Sequence, residues 1–350
     1  MDFLNGGLQL FFGPQENGAP DDLETVIVDF IDEAEDSLLV AVQELDNPVI
    51  ADALDRAARR KKPGTTTNLR VRFVGEGDYL KEEKPIVPPD AASGLDPNRH
   101  QFVQLLRGAV DCKIDFNPKI FHQKFVIRDK GKAKAAVLTG SANFTVTDTH
   151  RNLNHVAIFH DDGVVAAYDS EFDQLWDGIF GGRSPKLTTM DPLKIMIEGS
   201  EVQIAFSPDN NPELRIVNEI LKAQQSALLL MFTFASSTTI DDALLSRLQA
   251  GGFAVKGVLD SSQSAHNWSP HPALIAAGAQ LRKDALPNQG KLHHKLLVLD
   301  EKVVVGGSFN YTAPANRYND ENIFIIRNTA VAQHCKQEVE RIYNHKAADF

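Results

Sequence analysis

The 350-residue chain carries one string of elements twice. The first half reads "LQLFFGP", a polar break, the helix-like "DLETVIVDFIDEAEDS", the strand-like "LLVAV", then "NPVIADALDRAARR" and "LRVRFV". In the second half "VQIAFSP", "NPELRIVNEILKAQQS", "ALLLMFT", "TIDDALLSRLQAGG" and "FAVKGVLD" return in the same order. Self-similarity of this kind constrains the fold before any single motif does, because each copy has to be one structural unit. Leu23, Val26, Ile27, Phe30 and Ile31 recur at helical spacing, whereas the strand candidates are continuous apolar runs, as expected when both faces of a sheet are covered. Each copy closes with three further strands and a helix: "KFVIRD", "KAAVLTGS", "NHVAIF" and about 163–177, then "KLLVLD", "KVVVGGS", "NIFIIR" and about 330–344. The alternation predicts an α/β protein of two tandem lobes, each a mixed sheet flanked by helices.

The Gly-, Ser- and Pro-containing stretch "GGRSPKLTTMDP" (181–192) separates the copies, so the expected division is a lobe over 1–182, a linker over 183–195 and a lobe over 196–350. An insertion rich in Pro, Gly and charge (75–98) interrupts only the first copy, and its length suggests a disordered loop or a flap over substrate.

Lys and Arg number 36 against 47 Asp and Glu, a net charge of -11, which argues against a surface that is basic throughout and leaves room for a local cationic groove. The longest apolar runs, such as "SALLLMFTF" (226–234), are too short to span a bilayer, and the start has no basic stretch ahead of an apolar core. A cytoplasmic protein without a membrane-integral segment is expected. Cys112 and Cys335 lack C-x-x-C spacing, so two free thiols are expected.

The chemistry sits in a doubled pattern. "FHQKFVIRD" supplies His122, Lys124 and Asp129 and is followed by "GSAN" with Ser141 and Asn143; "HHKLLVLD" supplies His293, Lys295 and Asp300 and is followed by "GSFN" with Ser308 and Asn310. Both copies obey H-x-K-x4-D and G-S-x-N, in register with the whole-chain repeat. The pattern resembles the phospholipase D superfamily, whose members carry two such motifs in one chain or in a homodimer. The resemblance implies a two-lobed, single-chain form with its active site on a pseudo-twofold axis between the lobes, so that a monomer suffices. It also implies that Asp129 and Asp300 are structural.

The residues support the same roles. On an extended strand His293 and Lys295 leave one face and His294 the other, which makes His294 a packing or supporting residue. Two such faces can present two imidazoles, two ammonium groups and the amides of Asn143 and Asn310 to one phosphate. One imidazole would attack phosphorus and form a phosphohistidine, while the other protonates the leaving oxygen and later activates water. No metal and no cofactor is expected, because the lysines bring the positive charge. Ser141 and Ser308 are expected to cap the turn after a strand and to bond phosphate oxygens or the neighbouring motif. Glu321 lies fourteen residues after Gly307, and Asn154 holds the matching place after Gly140. A carboxylate favours an imidazolium, so pairing within each lobe predicts His293 with Glu321 as proton donor and His122 beside Asn154 as neutral nucleophile.

For substrate, Lys113, Lys119, Lys130, Lys132, Lys134 and Arg317 are candidates for a nucleic-acid groove, which favours a nuclease acting on DNA or RNA. Hydrolysis or transphosphatidylation of phospholipids is the second reading. His150, His155 and His160, like His266 and His271, recur every five residues and read as packing or surface histidines. Trp268 reads as a loop anchor in preference to a base-stacking platform.

Overall fold

The computed structural model describes residues 1–80, 97–183, 193–287 and 289–350. Most of the 75–98 insertion and of the expected linker lies outside these residues.

The repeat is visible strand by strand. The first sheet runs β1 (Asp2–Phe3), β2 (Leu8–Gly13), β8 (Asn154–Phe159), β7 (Ala136–Gly140), β6 (Lys124–Arg128), β3 (Ser37–Val42), β4 (Arg70–Glu76), β5 (Asp111–Asp115). The second runs β9 (Leu193–Ile197), β10 (Ser200–Ser207), β16 (Glu321–Arg327), β15 (Val303–Gly307), β14 (Lys295–Leu299), β11 (Ser226–Met231), β12 (Ala254–Leu259), β13 (Gln280–Asp284), with the short β17 (Ala347–Ala348) added at the far edge. Strands β3, β4 and β5 pair in parallel, as do β11, β12 and β13, and the other pairs are antiparallel. Both sheets are therefore mixed. The parallel pairs need crossover helices, Pro48–Arg59 between β3 and β4 and Ile240–Ala250 between β11 and β12. The first of these starts at an Asn-Pro pair, where Asn47 Oδ1 accepts from Val49 N at 2.8 Å and proline stands where no amide hydrogen is needed.

Strand β9 pairs with β10 from Leu193 onward, so the second sheet begins ahead of residue 196. Strands β5 and β13 escaped the sequence reading because "DCKID" and "QLRKD" carry charges instead of a continuous apolar run.

Three apolar cores follow from these layers. One fills the space between helices and sheet in the first lobe, and a second does so in the second lobe. The third joins the lobes and draws on both, with Leu10, Phe125, Tyr168, Phe206, Val298 and Phe324 in one cluster. Two short parallel bridges cross the same boundary, Phe121 to Asp320 and Leu153 to Leu292. They are closed by His122 N donating to Asp320 O at 2.9 Å and His293 N donating to Leu153 O at 2.9 Å.

The aspartates of the two motifs stand at the opposite ends of β6 and β14 from the histidines. Asp129 Oδ1 and Oδ2 accept from the amides of Glu35, Asp36 and Ser37 at 2.6–3.0 Å. Asp300 accepts from Gln224, Gln225 and Ser226 at 2.7–3.0 Å. Each carboxylate ties the end of its strand to the start of the neighbouring one, and each backbone is left-handed, at φ +53° and +52°, where aspartate is tolerated. Their charge never reaches the histidines. Asp129→Ala should cost about 1–3 kcal/mol by leaving three part-buried amides without their acceptor, read as a lower urea midpoint at unchanged m-value. A loss below about 0.5 kcal/mol, the scale of an ordinary surface change, would refute the clamp.

Candidate active site

Each motif histidine leaves the end of its strand and meets the other lobe. His122 Nδ1 lies 2.7 Å from Glu321 Oε2, and His293 Nδ1 lies 3.0 Å from Asn154 Oδ1. The pairing expected within each lobe, His293 with Glu321 and His122 with Asn154, is therefore wrong: it is crossed. The cause is strand order. Within the second lobe β15 stands between β14 and β16, which puts His293 and Glu321 roughly 9–10 Å apart at two strand spacings. Across the boundary, the bridge from Phe121 to Asp320 sets His122 beside Glu321, and the bridge from Leu153 to Leu292 sets His293 beside Asn154.

The serines of G-S-x-N hold these partners and do not face the cavity. Ser141 Oγ donates to Asn154 Oδ1 at 2.7 Å and accepts from His155 N; Ser308 Oγ accepts from Asn322 N at 3.0 Å and sits 3.5 Å from Glu321 Oε2. Asn319 Nδ2 donates to the second oxygen of Glu321 at 3.2 Å. Asp148, which the sequence did not single out, is buried, accepts from Asn143 N at 2.7 Å and lies 3.5 Å from His293 Nδ1. The matching position in the second copy is Ala315, so the repeat alone gave no signal for it.

Both histidines, both asparagines and Asp148 line one cavity of about 500 Å³. Lys124 Nζ donates to Gln43 Oε1 at 3.1 Å and to His122 O at 3.0 Å; Lys295 Nζ donates to His293 O at 2.7 Å and stands 4.8 Å from the Phe232 ring centre. Gln43 and Phe232 follow β3 and β11 at equivalent places, so the two lysines have unequal surroundings. Asn143 Oδ1 and Asn310 Oδ1 are buried without a protein partner, which leaves these amides available to a ligand.

Burial and positive neighbours define the electrostatics. Burial, then the Lys124 charge, holds His122 down to about 4 in spite of the opposing Glu321 carboxylate, and burial together with Lys295, Lys124 and His122 holds His293 well below the usual imidazole range. Both rings are neutral at pH 7. Burial brings the Lys124 ammonium down to about 8, and burial reinforced by Lys124 depresses Lys295 strongly. Two imidazoles lining the cavity and two lysines beside it gather bases where a phosphodiester anion could be held, although Glu44, Asp46 and Asp148 also stand on its wall.

The basic residues proposed for a nucleic-acid groove are mostly elsewhere. Lys130 pairs with Asp169, Lys132 with Asp36 and Lys134 with Glu35, all beyond the far end of β6. Lys113 lies over the Trp176 ring. Lys119, over Tyr318, is next to the cavity-lining Ile120, and exposed Arg317 adjoins the rim. The cavity wall also carries Glu44 and Asp46. Trp268 stacks on His266 and its carbonyl accepts from Ser236, so it anchors a loop. Cys112 and Cys335 are free thiols.

The sequence matches the family described as "Cardiolipin synthase, PLD-like domain" over residues 27–176 and 216–343, one stretch in each lobe. The chain belongs to the phospholipase D-like family. It is 34% identical over 139 residues to mitochondrial cardiolipin hydrolase of Xenopus tropicalis, a match covering 39% of this chain and 64% of that protein. It is 33% identical over 134 residues to a phospholipase D of Rickettsia conorii, covering 38% of this chain and 65% of that one. These matches span a little under two thirds of each relative. Phosphatidylserine synthase of Haemophilus influenzae superposes with a TM-score of 0.63 over 96% of this chain and 86% of that chain at 12% identity, a likeness of fold. Among the described residues of this phospholipase D-like chain, no helix is long and apolar enough to cross a membrane.

The crossed pairing makes an observable statement. In Glu321→Gln the imidazole ¹⁵N and Nδ1–H resonances of His122 should move while those of His293 stay in place. A shift at His293 with His122 unmoved would restore the pairing within lobes.

Proposed function

We propose that the chain is a metal-independent phosphodiesterase working through a phosphohistidine at His122, and that the observation carrying this reading is the meeting of two imidazoles from two lobes in one cavity. With Nδ1–H given to Glu321, His122 offers Nε2 to phosphorus. As the P–N bond forms and the P–O ester bond breaks, positive charge develops on the ring, and the Glu321 carboxylate offsets it as a triad aspartate does for its histidine. His293, held by the neutral amide of Asn154, is the less basic imidazole and so the stronger acid once the bound diester has favoured its protonation. It gives its proton to the leaving oxygen, then takes one from the water that attacks phosphorus, breaks the P–N bond and restores His122. An alcohol in place of water gives transphosphatidylation. His122 thus keeps the nucleophile's role, for the opposite electrostatic reason to that read from sequence. Lys124, Lys295, Asn143 and Asn310 neutralise and orient the phosphoryl oxygens.

The carboxylates on the cavity wall and the dispersal of Lys130, Lys132 and Lys134 support a diester carrying little more than its own charge, such as a phospholipid, over a long polyanion. The names of the relatives from Xenopus tropicalis and Rickettsia conorii point the same way. Nucleic acid is the second reading, favoured by Lys119, Lys291 and Arg317 at the rim.

Hydrolysis of bis(p-nitrophenyl) phosphate should survive EDTA, and His122→Ala should lower kcat by about 10³-fold or more. Acid quench should trap phosphate on His122; a covalent adduct on His293 would reverse the roles. Release of headgroup from anionic or zwitterionic vesicles, run beside labelled single-stranded DNA, duplex DNA and RNA, sorts the substrates, and cleavage of nucleic acid alone would overturn the lipid preference. kcat/KM should fall as pH rises through the lowered range in which the interacting Lys124 and Lys295 pair gives up a proton in the free enzyme, while kcat holds to higher pH because the bound anion retains that proton.

A further inference from the structure

The residue between histidine and lysine in each motif, Gln123 or His294, points away from the cavity and joins a buried chain of hydrogen bonds that crosses between lobes. In one chain Gln123 Nε2 donates to Glu171 Oε1 at 3.0 Å, Asn322 Nδ2 donates to Gln123 Oε1 at 2.8 Å, and Asn322 Oδ1 accepts from Thr139 Oγ1 at 3.0 Å and Tyr168 OH at 3.1 Å. The pseudo-symmetric positions of Glu171, Gln123 and Asn322 are Glu338, His294 and His155. There Gly307 N donates to His155 Nε2 at 3.1 Å, the two imidazoles meet Nδ1 to Nδ1 at 3.2 Å with parallel rings, and His294 Nε2 stands 3.5 Å from Glu338 Oε1. The first copy has Thr139 where the second has Gly306, and a Cβ at Gly306 would meet the Phe324 ring at 2.4 Å and His155 Nε2 at 3.2 Å. Imidazoles fill in one half the place that amides and a hydroxyl fill in the other.

The bonds fix the tautomers. Because His155 Nε2 accepts from Gly307, its proton is on Nδ1 and is donated to His294 Nδ1, so His294 carries its proton on Nε2, facing Glu338. We propose that His155 and His294 are positioning residues that latch the Gly307–Asn310 turn and the His293–Lys295 segment across the lobe boundary, and that the latch opens in mild acid whereas the Gln123–Asn322 counterpart does not. This rests on the reading of the site given above.

A second proton on His294 would set two donors against each other at the Nδ1 contact, and one on His155 would set its Nε2–H against the Gly307 amide, with the Lys295 ammonium close by. The groups facing His155 are His294, Lys295, the Gly307 amide and the edge-on Phe324 ring. Those facing His294 are His155, Lys295, the Phe12 ring, Glu338 and Arg341, and Arg341 already holds both Glu338 oxygens at 2.7 Å. Burial first, then His294 and Lys295, keeps His155 well below the usual imidazole range; burial does the same for His294 against the pull of Glu338. Both are neutral when folded and take up protons more readily when unfolded. Their contribution to stability is therefore complete above about pH 6.5 and erodes as pH falls below it.

The double variant H155N/H294Q copies the amide pair of the other half. Between pH 7.5 and 5.5 the wild-type Tm should drop by about 3 °C more than that of the variant. The wild-type ratio of kcat at pH 5.5 to pH 7.5 on bis(p-nitrophenyl) phosphate should be at least about threefold lower than the variant's own ratio. ¹⁵N spectra of the wild type at pH 7.5 should show His155 protonated on Nδ1 and His294 on Nε2. Equal pH dependence in the two proteins, or a His155 proton on Nε2, overturns the latch. If the double variant does not fold, H294Q with the same melting comparison and the wild-type spectra settle it. A wild type that turns over no diester at pH 7.5 sinks the functional reading, while the melting and tautomer results still judge the latch.

Discussion

The structure depends on two short strand bridges that cross between lobes, Phe121 with Asp320 and Leu153 with Leu292. Each seats the residue ahead of a motif histidine against the residue ahead of the opposite lobe's Glu321 or Asn154. Both half-sites are thereby made from two copies at once: the imidazole comes from one, and the group that fixes its tautomer from the other. The continuous apolar cluster between the sheets supplies the burial that makes these contacts matter, since the hydrogen bond that His122 donates to Glu321 directs charge only where water is excluded.

Near-symmetry then serves an asymmetric task. Two identical half-sites would offer two equally basic rings and no division between attack and proton donation. Glu321 opposite Asn154 breaks that tie, and so do Gln43 opposite Phe232 beside the lysines and Asp148 opposite Ala315. All three differences lie within one or two residues of positions that are otherwise duplicated, so the fold is preserved while the electrostatics diverge.

The sequence made much of this legible because duplication supplied its own alignment. The succession of elements along each copy, the H-x-K-x4-D and G-S-x-N residues and the meeting of their histidines and asparagines at one cavity followed from the repeat. What stayed hidden concerns partners distant in sequence. The link from His122 to Glu321 spans 199 residues, and no local rule says which lobe's carboxylate reaches which ring. Charged strands such as "DCKID" hid for a different reason, because one of their faces meets solvent. His155 read as a packing or surface histidine from its spacing, and His294 as a packing or supporting residue from strand alternation. Their meeting shows only when the lobes are docked.

The apolar cluster shared by the sheets carries one further consequence. Swinging the lobes apart would expose Phe125, Tyr168, Phe206 and Phe324 and break both bridges together, so the seam is no hinge. Reactants then reach the site only through the open side of the cavity that the described residues from Gln43 to Asp46 and from Asn310 to Asn319 help to line. Traffic through that opening, with the halves clamped shut, sets the shape and bulk of what the molecule can accept.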